Sequence, residues 1–200
     1  FCPKNAFLAW KTEFKANFGE NLSLKVVDVQ KKKYTPTEFL LACGDANLIL
    51  VNYEVVAKYQ EPLKHIINER TMLVLDEIHR IKGLTSSRAI AVKDVAQKAS
   101  YKYALTGTPI PNTYEDIYNL LNILYDEEYR LYFNFRKDEL KKPSPLLVER
   151  INNAIYPFFW RTTKEQLNVP KVNEDELYEI VANEDEQQII DMLYQKFGRS

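Results

Sequence analysis

An apolar run in this chain ends in two adjacent acids: Met72-Leu73-Val74-Leu75-Asp76-Glu77-Ile78-His79. In open α/β sheets, ligands gather at the carboxyl ends of the strands. Two neighbouring carboxylates at such an end suit phosphate chemistry, because one can hold Mg²⁺ through water while the next orients and deprotonates an attacking water. Asp76 fits the first task and Glu77 the second. An isolated D-E-x-H is equally a polar strand exit. A second segment, Tyr103 to Asn112, takes another apolar run into a hydroxyl-rich turn, Leu105-Thr106-Gly107-Thr108-Pro109. Gly107 permits a tight turn with close backbone approach, and Thr106 and Thr108 supply hydroxyls able to bond a neighbouring motif or bridge to a second lobe. Alone, this too reads as a plain strand-to-helix turn. The two segments in this order and separation are far more specific than either one.

Bringing two strand ends to one edge requires a parallel sheet. Short runs rich in Val, Ile and Leu (Lys25 to Val29, Leu48 to Val51, Met72 to Leu75, Tyr101 to Leu105) alternate with stretches of helical spacing at Phe7 to Phe18, Pro62 to Asn68, Ser86 to Ala99 and Tyr114 to Leu124. Asn5 and Ser86 are candidate caps. This alternation predicts an α/β fold built on an open parallel sheet. The runs are apolar at successive residues, which predicts a buried sheet with helices on both faces. From Asp126 to Arg150 the chain turns charged and aromatic, with Pro143 and Pro145, and offers helical pieces but no buried strand. Leu177 to Val181 then reads as a strand and Asp185 to Phe197 as an amphipathic helix.

Two hundred residues and 23.5 kDa give room for one sizeable domain or lobe, but not for a two-lobed motor. With 46% apolar residues and 5 Gly the chain can bury a real core. No apolar run approaches the roughly 18 residues of a membrane helix, so a soluble protein with no membrane partner is expected. A net charge of −1 argues against a protein that coats nucleic acid, so any such contact must be local. Cys2, Cys43, His65 and His79 lack metal-ligand spacing, and two cysteines make no disulfide framework, which points to a reducing, intracellular setting. The run Lys31-Lys32-Lys33 can meet phosphate and reads equally as a solvated loop. Glu174 to Glu186 is acidic without a basic residue and suits DNA poorly. The chain opens on Phe1-Cys2-Pro3 with no initiator Met, as though cut from a longer polypeptide.

Taken together, the motifs resemble the Swi/Snf-related family of superfamily-two helicase-like ATPases, which move along duplex DNA. Asp76-Glu77-Ile78-His79-Arg80-Ile81-Lys82 is similar to that family's D-E-A-H box with its R-I-K extension, and Leu105 to Asn112 to its L-T-G-T-P-x-x-N motif. Cys2-Pro3-Lys4 with Trp10 to Phe14 resembles motif Ia, and Val51-Asn52-Tyr53-Glu54 resembles motif Ib. Phe158 to Lys164 is similar to the F-x-x-R-R-T-K element that closes the first lobe. The resemblance implies a RecA-like, P-loop NTPase type of three-layer sheet, with ATP and Mg²⁺ as ligands and double-stranded DNA as partner. It makes Asp76 the magnesium-side carboxylate and Glu77 the general base. His79, Thr106, Gly107 and Thr108 would couple nucleotide state to lobe movement. Lys4, Asn52 and Tyr53, with Arg80, Lys82 and Asn112, would face the DNA backbone. The implied layout is the main part of the first lobe over 1–125, a helical flank and lobe-closing segment over 126–170, and a linking strand and helix toward a second lobe over 171–200.

Three departures stand out: Ile78 for the box alanine, Gly83 for the asparagine after R-I-K, and Thr162 for the second arginine of R-R-T-K. None removes an expected catalytic group, though Thr162 leaves open any phosphate or lobe contact of the missing arginine. None of the five glycines precedes Lys-Ser or Lys-Thr, so there is no P-loop here and these 200 residues alone are expected to be inactive as an ATPase. Other expectations remain open: a restriction-type translocase, an RNA helicase, or a DNA-docking scaffold without a P-loop. Localisation would be cytoplasmic in a bacterium or phage and nuclear in a eukaryote.

Overall fold

Each strand forms on one of the apolar runs: β1 (Val26–Asp28), β2 (Leu48–Leu50), β3 (Met72–Asp76) and β4 (Tyr101–Leu105). The computed structural model describes residues 1–200 except 82, 84, 109–112, 127, 163–165, 168–181 and 198–200. β1 pairs in parallel with β2, Val26 opposite Leu48, and β3 in parallel with β4, Met72 opposite Tyr101 and Asp76 opposite Leu105. Phe1 and Cys2 lie between the two pairs. The Phe1 nitrogen donates to the Val74 carbonyl, the Asp76 amide donates to the Phe1 carbonyl at 2.8 Å, and the Cys2 amide donates to the Val51 carbonyl at 3.2 Å. All of these strand ends therefore share one carboxyl edge.

The helices are α1 (Phe7–Phe18), α2 (Pro36–Cys43), α3 (Gln60–Ile66), α4 (Ser87–Ala96), α5 (Glu115–Leu124), α6 (Pro145–Ile155) and α7 (Glu184–Phe197). α2 starts where Thr35 accepts from the Glu38 amide and Glu38 accepts in return from the Thr35 amide, with Pro36 pre-set for the first turn. Ser86 caps α4 by accepting from the Ala89 amide, as the sequence predicts. Asn5 does not cap α1. It sits inside a 3-10 turn, Lys4–Ala6, closed by the Ala6 amide on the Pro3 carbonyl, so the chain enters α1 already wound.

Phe7 and Trp10 of α1 pack on one face against Val26, Leu48 and Leu50. Phe39 of α2, Leu63 of α3, and Val92 and Val95 of α4 close the other face over Val27, Leu73 and Leu75. Each such side chain, when fully buried, contributes about 1.5–3 kcal/mol. Phe39 also stacks on Tyr59 with ring centroids 4.4 Å apart. The expected burial on both faces fails at β4, where Tyr101, Tyr103 and Leu105 are 57, 54 and 44% exposed. Among the described residues β4 pairs with β3 alone, and the face that carries these three alternate side chains is left uncovered.

The charged, aromatic stretch builds a second small core on α5. Ile117 and Leu121 pack there with Tyr129, Phe133, Phe135, Leu140 and Ile151 of α6, and the Tyr129 hydroxyl donates to the Phe135 carbonyl at 2.8 Å. The chain divides into two compact units, Phe1–Phe158 and Phe159–Ser200. In the second unit, Trp160 donates its indole N–H to the Thr162 hydroxyl at 3.2 Å. α7 is capped reciprocally by Asn183 and Glu186, both bonds 2.9 Å. The strand expected at Leu177 to Val181 lies outside the described residues. Among those described, no helix is long and apolar enough to cross a membrane.

Candidate functional site

β3 delivers Asp76 to the carboxyl edge, and the backbone then turns sharply. Glu77 takes a left-handed conformation, φ 52° and ψ 46°, which costs a residue with a Cβ about 1 kcal/mol or more. A short 3-10 turn, Ile78–Arg80, follows and anchors through the buried Ile78. This places both carboxylates at the edge while Ile78, larger than the alanine of the motif, fills core volume.

Asp76 is tied in from two sides. The Trp10 indole N–H donates to its Oδ2 at 2.9 Å, and the Tyr53 hydroxyl donates to its backbone carbonyl at 2.8 Å. Trp10 is thus both core and ligand to the acid, a role its sequence position did not signal. Among the described residues Oδ1 has no bond to another side chain, which leaves it open to a hydrated cation. Glu77 is half exposed as a side chain, yet its Oε2 is buried and among the described residues accepts no hydrogen bond. That oxygen lies 3.1 Å from His79 Nδ1, and the same ring nitrogen is hydrogen-bonded to Thr106 Oγ1 at 3.0 Å. The Thr106 hydroxyl also accepts from the Thr108 amide at 3.1 Å. His79, Thr106 and Thr108 therefore form one hydrogen-bonded chain across the β3 and β4 exits, with Glu77 within ion-pair distance of its His79 end. Among the described residues no group of three or more His, Cys, Asp and Glu could hold a metal by itself.

The remaining sequence-nominated residues fall into three groups. Lys4 and Arg80 are exposed at the same edge. Asn52 and Tyr53 are buried, 2 and 1% exposed, so the expectation that their side chains face nucleic acid is corrected. Tyr53 supports Asp76 from within the core, where burial, then the Asp76 charge, pushes its phenol well above the ordinary range. The Asn52 side-chain amide donates to the Glu54 carboxylate. Lys82 and Asn112 lie outside the described residues. Gly107 has no positive φ, and among the described residues no atom lies within 4 Å of where its Cβ would sit. Gly83, by contrast, has φ +68°, the conformation that glycine and asparagine share, and this accounts for its replacing the motif's asparagine.

Behind His79 and Thr106 lies a cavity of about 20 Å³, lined also by Ile78, Ile81, Asn119 and Ile123. Asn119, 6% exposed on α5, has a buried Oδ1 that finds no partner among the described residues.

The fold and site define an open parallel α/β lobe with an acid pair and a Thr-Gly-Thr turn on one carboxyl edge. The chain belongs to the SNF2-related domain family, whose model matches residues 1–196. It is 28% identical to the human SWI/SNF-related matrix-associated actin-dependent regulator of chromatin subfamily A member 1, over 88% of this chain and 17% of that protein. It is 25% identical to a probable ATP-dependent DNA helicase, CHR23, of Arabidopsis thaliana, over 82% of this chain and 16% of that protein. Its fold matches the Sulfolobus solfataricus SWI2/SNF2 ATPase core in complex with double-stranded DNA, with a TM-score of 0.60 and 28% identity, over 84% of this chain and 34% of that one. The chain therefore spans about a sixth of the length of these curated relatives.

Proposed function

We propose that this chain supplies most of the first lobe of a DNA-dependent ATPase that moves on duplex DNA, with hydrolysis centred on Asp76 and Glu77. The observation that carries this reading is the buried Glu77 Oε2, which among the described residues accepts no hydrogen bond and is held at the strand edge 3.1 Å from His79 Nδ1, itself bonded to Thr106. A carboxylate oxygen kept dry and unbonded is poised to accept a proton from water. Asp76, oriented by Trp10, would meet Mg²⁺ carried by the nucleotide, and the ion would neutralise phosphate charge. His79 ties Glu77 to Thr106 and Thr108, the exposed turn against which a second lobe would close. Lys4 and Arg80 face the DNA backbone. The phosphate cradle and second lobe belong, in this reading, to further sequence of the same polypeptide. The setting is intracellular, and nuclear in a eukaryotic host.

The test is Glu77→Gln in the full-length polypeptide. ATP binding is retained and turnover falls by about two orders of magnitude or more. Wild-type turnover would remove the general-base assignment. Stimulation of the wild type by duplex DNA, compared with single strands and RNA, separates the translocase from an RNA helicase.

A further inference from the structure

Lys31, Lys32 and Lys33 are the one basic run that the site does not use. The structure shows that they are not on a loose loop. Asp28, at the end of β1, accepts from the Gln30 and Lys31 amides at 2.8 and 3.2 Å and from the Lys11 ammonium at 2.7 Å, which fixes the turn. The Gln30 side chain then donates to the Lys4 carbonyl at 2.8 Å, across 26 positions of sequence, so the turn is fastened beside Lys4. On the far side Lys32 lies over the Tyr34 ring, 5.0 Å from its centroid, and the Lys58 ammonium donates to the Tyr34 carbonyl at 2.6 Å. Lys4, Lys31, Lys32, Lys33 and Lys58 are all exposed, and the turn that carries Lys31 to Lys33 leaves the carboxyl end of β1.

Three acids lie in this field: Asp28, paired with Lys11, and Glu38 and Glu54, each bonded to a neutral donor. Glu38 closes the α2 cap with Thr35, and Glu54 accepts from Asn52. With Lys11 set against Asp28, the five lysines outnumber the two remaining carboxylates, which leaves a positive ridge on a chain whose net charge is −1.

We infer that the Lys31–Lys33 turn, with Lys58, forms a phosphate-binding ridge that continues the Lys4 surface, and that its ligand is the sugar-phosphate backbone of duplex DNA. This rests on the DNA-facing edge proposed above. A preformed turn presenting lysines at successive positions meets phosphates without reading bases, so it adds affinity and salt dependence rather than sequence preference.

The experiment is fluorescence anisotropy of the 200-residue chain with a labelled duplex over a salt series. It compares the wild type, the triple variant K31Q/K32Q/K33Q, Lys4→Ala, and the control K141Q/K142Q on the outer flank. Circular dichroism confirms the fold of each variant. For the triple variant, affinity at fixed salt falls about tenfold or more, and the slope of log affinity against log salt falls by about 2–3, roughly 0.9 for each phosphate no longer neutralised. The control leaves both unchanged. Unchanged affinity and slope in the triple variant, with Lys4→Ala weakened, overturns the ridge alone. An equal loss in the control overturns it as a site, leaving only general charge. A loss seen with a single strand but not with the duplex overturns the choice of ligand. No salt-dependent binding by the wild type overturns the DNA-facing edge itself.

Discussion

The indole N–H of Trp10 donates to the carboxylate of Asp76 at 2.9 Å, joining α1 to the end of β3 across 66 positions of sequence. Trp10→Phe keeps an aromatic ring and removes the donor, so it lowers stability by about 1–2 kcal/mol. Urea denaturation followed by far-UV circular dichroism reads the change. A larger loss would mean that ring packing, not the hydrogen bond, dominates at this position.

Glu77 occupies a backbone conformation that suits glycine. Glu77→Gly therefore leaves the 200-residue chain as stable as the wild type, or more stable by up to about 1 kcal/mol, although it deletes the proposed base. Thermal melting of the two proteins side by side checks this. A clear destabilisation would show that the Glu77 side chain contributes to folding more than its backbone costs.

The Lys11–Asp28 pair predicts a pH dependence. Burial alone would raise the Asp28 carboxyl, but the Lys11 hydrogen bond and the Gln30 and Lys31 amides outweigh it and hold the group below its ordinary value. The stabilisation is complete above the unfolded carboxylate range, near pH ~4, and is lost as pH falls through the lower folded value. Asp28→Asn costs about 1–3 kcal/mol at neutral pH and flattens that acid limb. Urea midpoints from neutral pH into the acid range measure both effects.

Thr106→Val removes the hydroxyl shared by His79 and the Thr108 amide. In the full-length polypeptide DNA-stimulated ATP turnover falls about five- to tenfold, the equivalent of one missing hydrogen bond, and Thr106→Ser restores it. Steady-state phosphate release with and without duplex separates this from a loss of basal hydrolysis. Equal activity of the valine and serine variants would remove the hydroxyl from the coupling path.

Asn119→Leu replaces a buried carbonyl oxygen that lacks a protein partner with apolar volume beside a cavity of about 20 Å³. Stability rises by about 1 kcal/mol if that oxygen is unsatisfied, and falls if the cavity holds a bonded water. The sign of the change in Tm decides between the two.

How much of this is legible in the sequence follows from the range of the forces involved. The α1 and β4 bounds, the Ser86 cap and the two motif strands follow from local periodicity and capping, and the structure agrees with them. α2 escapes the periodicity reading although Thr35-Pro36-Thr37-Glu38 carries its capping box, because Phe39 to Cys43 shows only as a short apolar run. The burial of Asn52 and Tyr53 is invisible in the sequence. A tyrosine with its hydroxyl on a distant backbone carbonyl has the same local signature as one facing solvent, and only the long-range packing of β2 beside β3 decides between them. The Trp10–Asp76 bond and the fastening of Gln30 to Lys4 are of the same kind. The exposed face of β4 departs from expectation because apolar succession reports what a strand can bury, not what covers it.

Cys2 joins the strand pairs through its amide on Val51, and the residue is 2% exposed, with burial pushing its thiol up to about 11. Cys43, buried in the last turn of α2, is pushed up to about 12 by the same cause. At neutral pH neither thiol is both ionised and reachable, so an alkylating reagent must wait for the protein to open. Because Cys2 sits on the seam and Cys43 sits off it, the difference in their labelling rates is a native clock for the parting of the two halves of the sheet, readable by mass spectrometry without adding a probe.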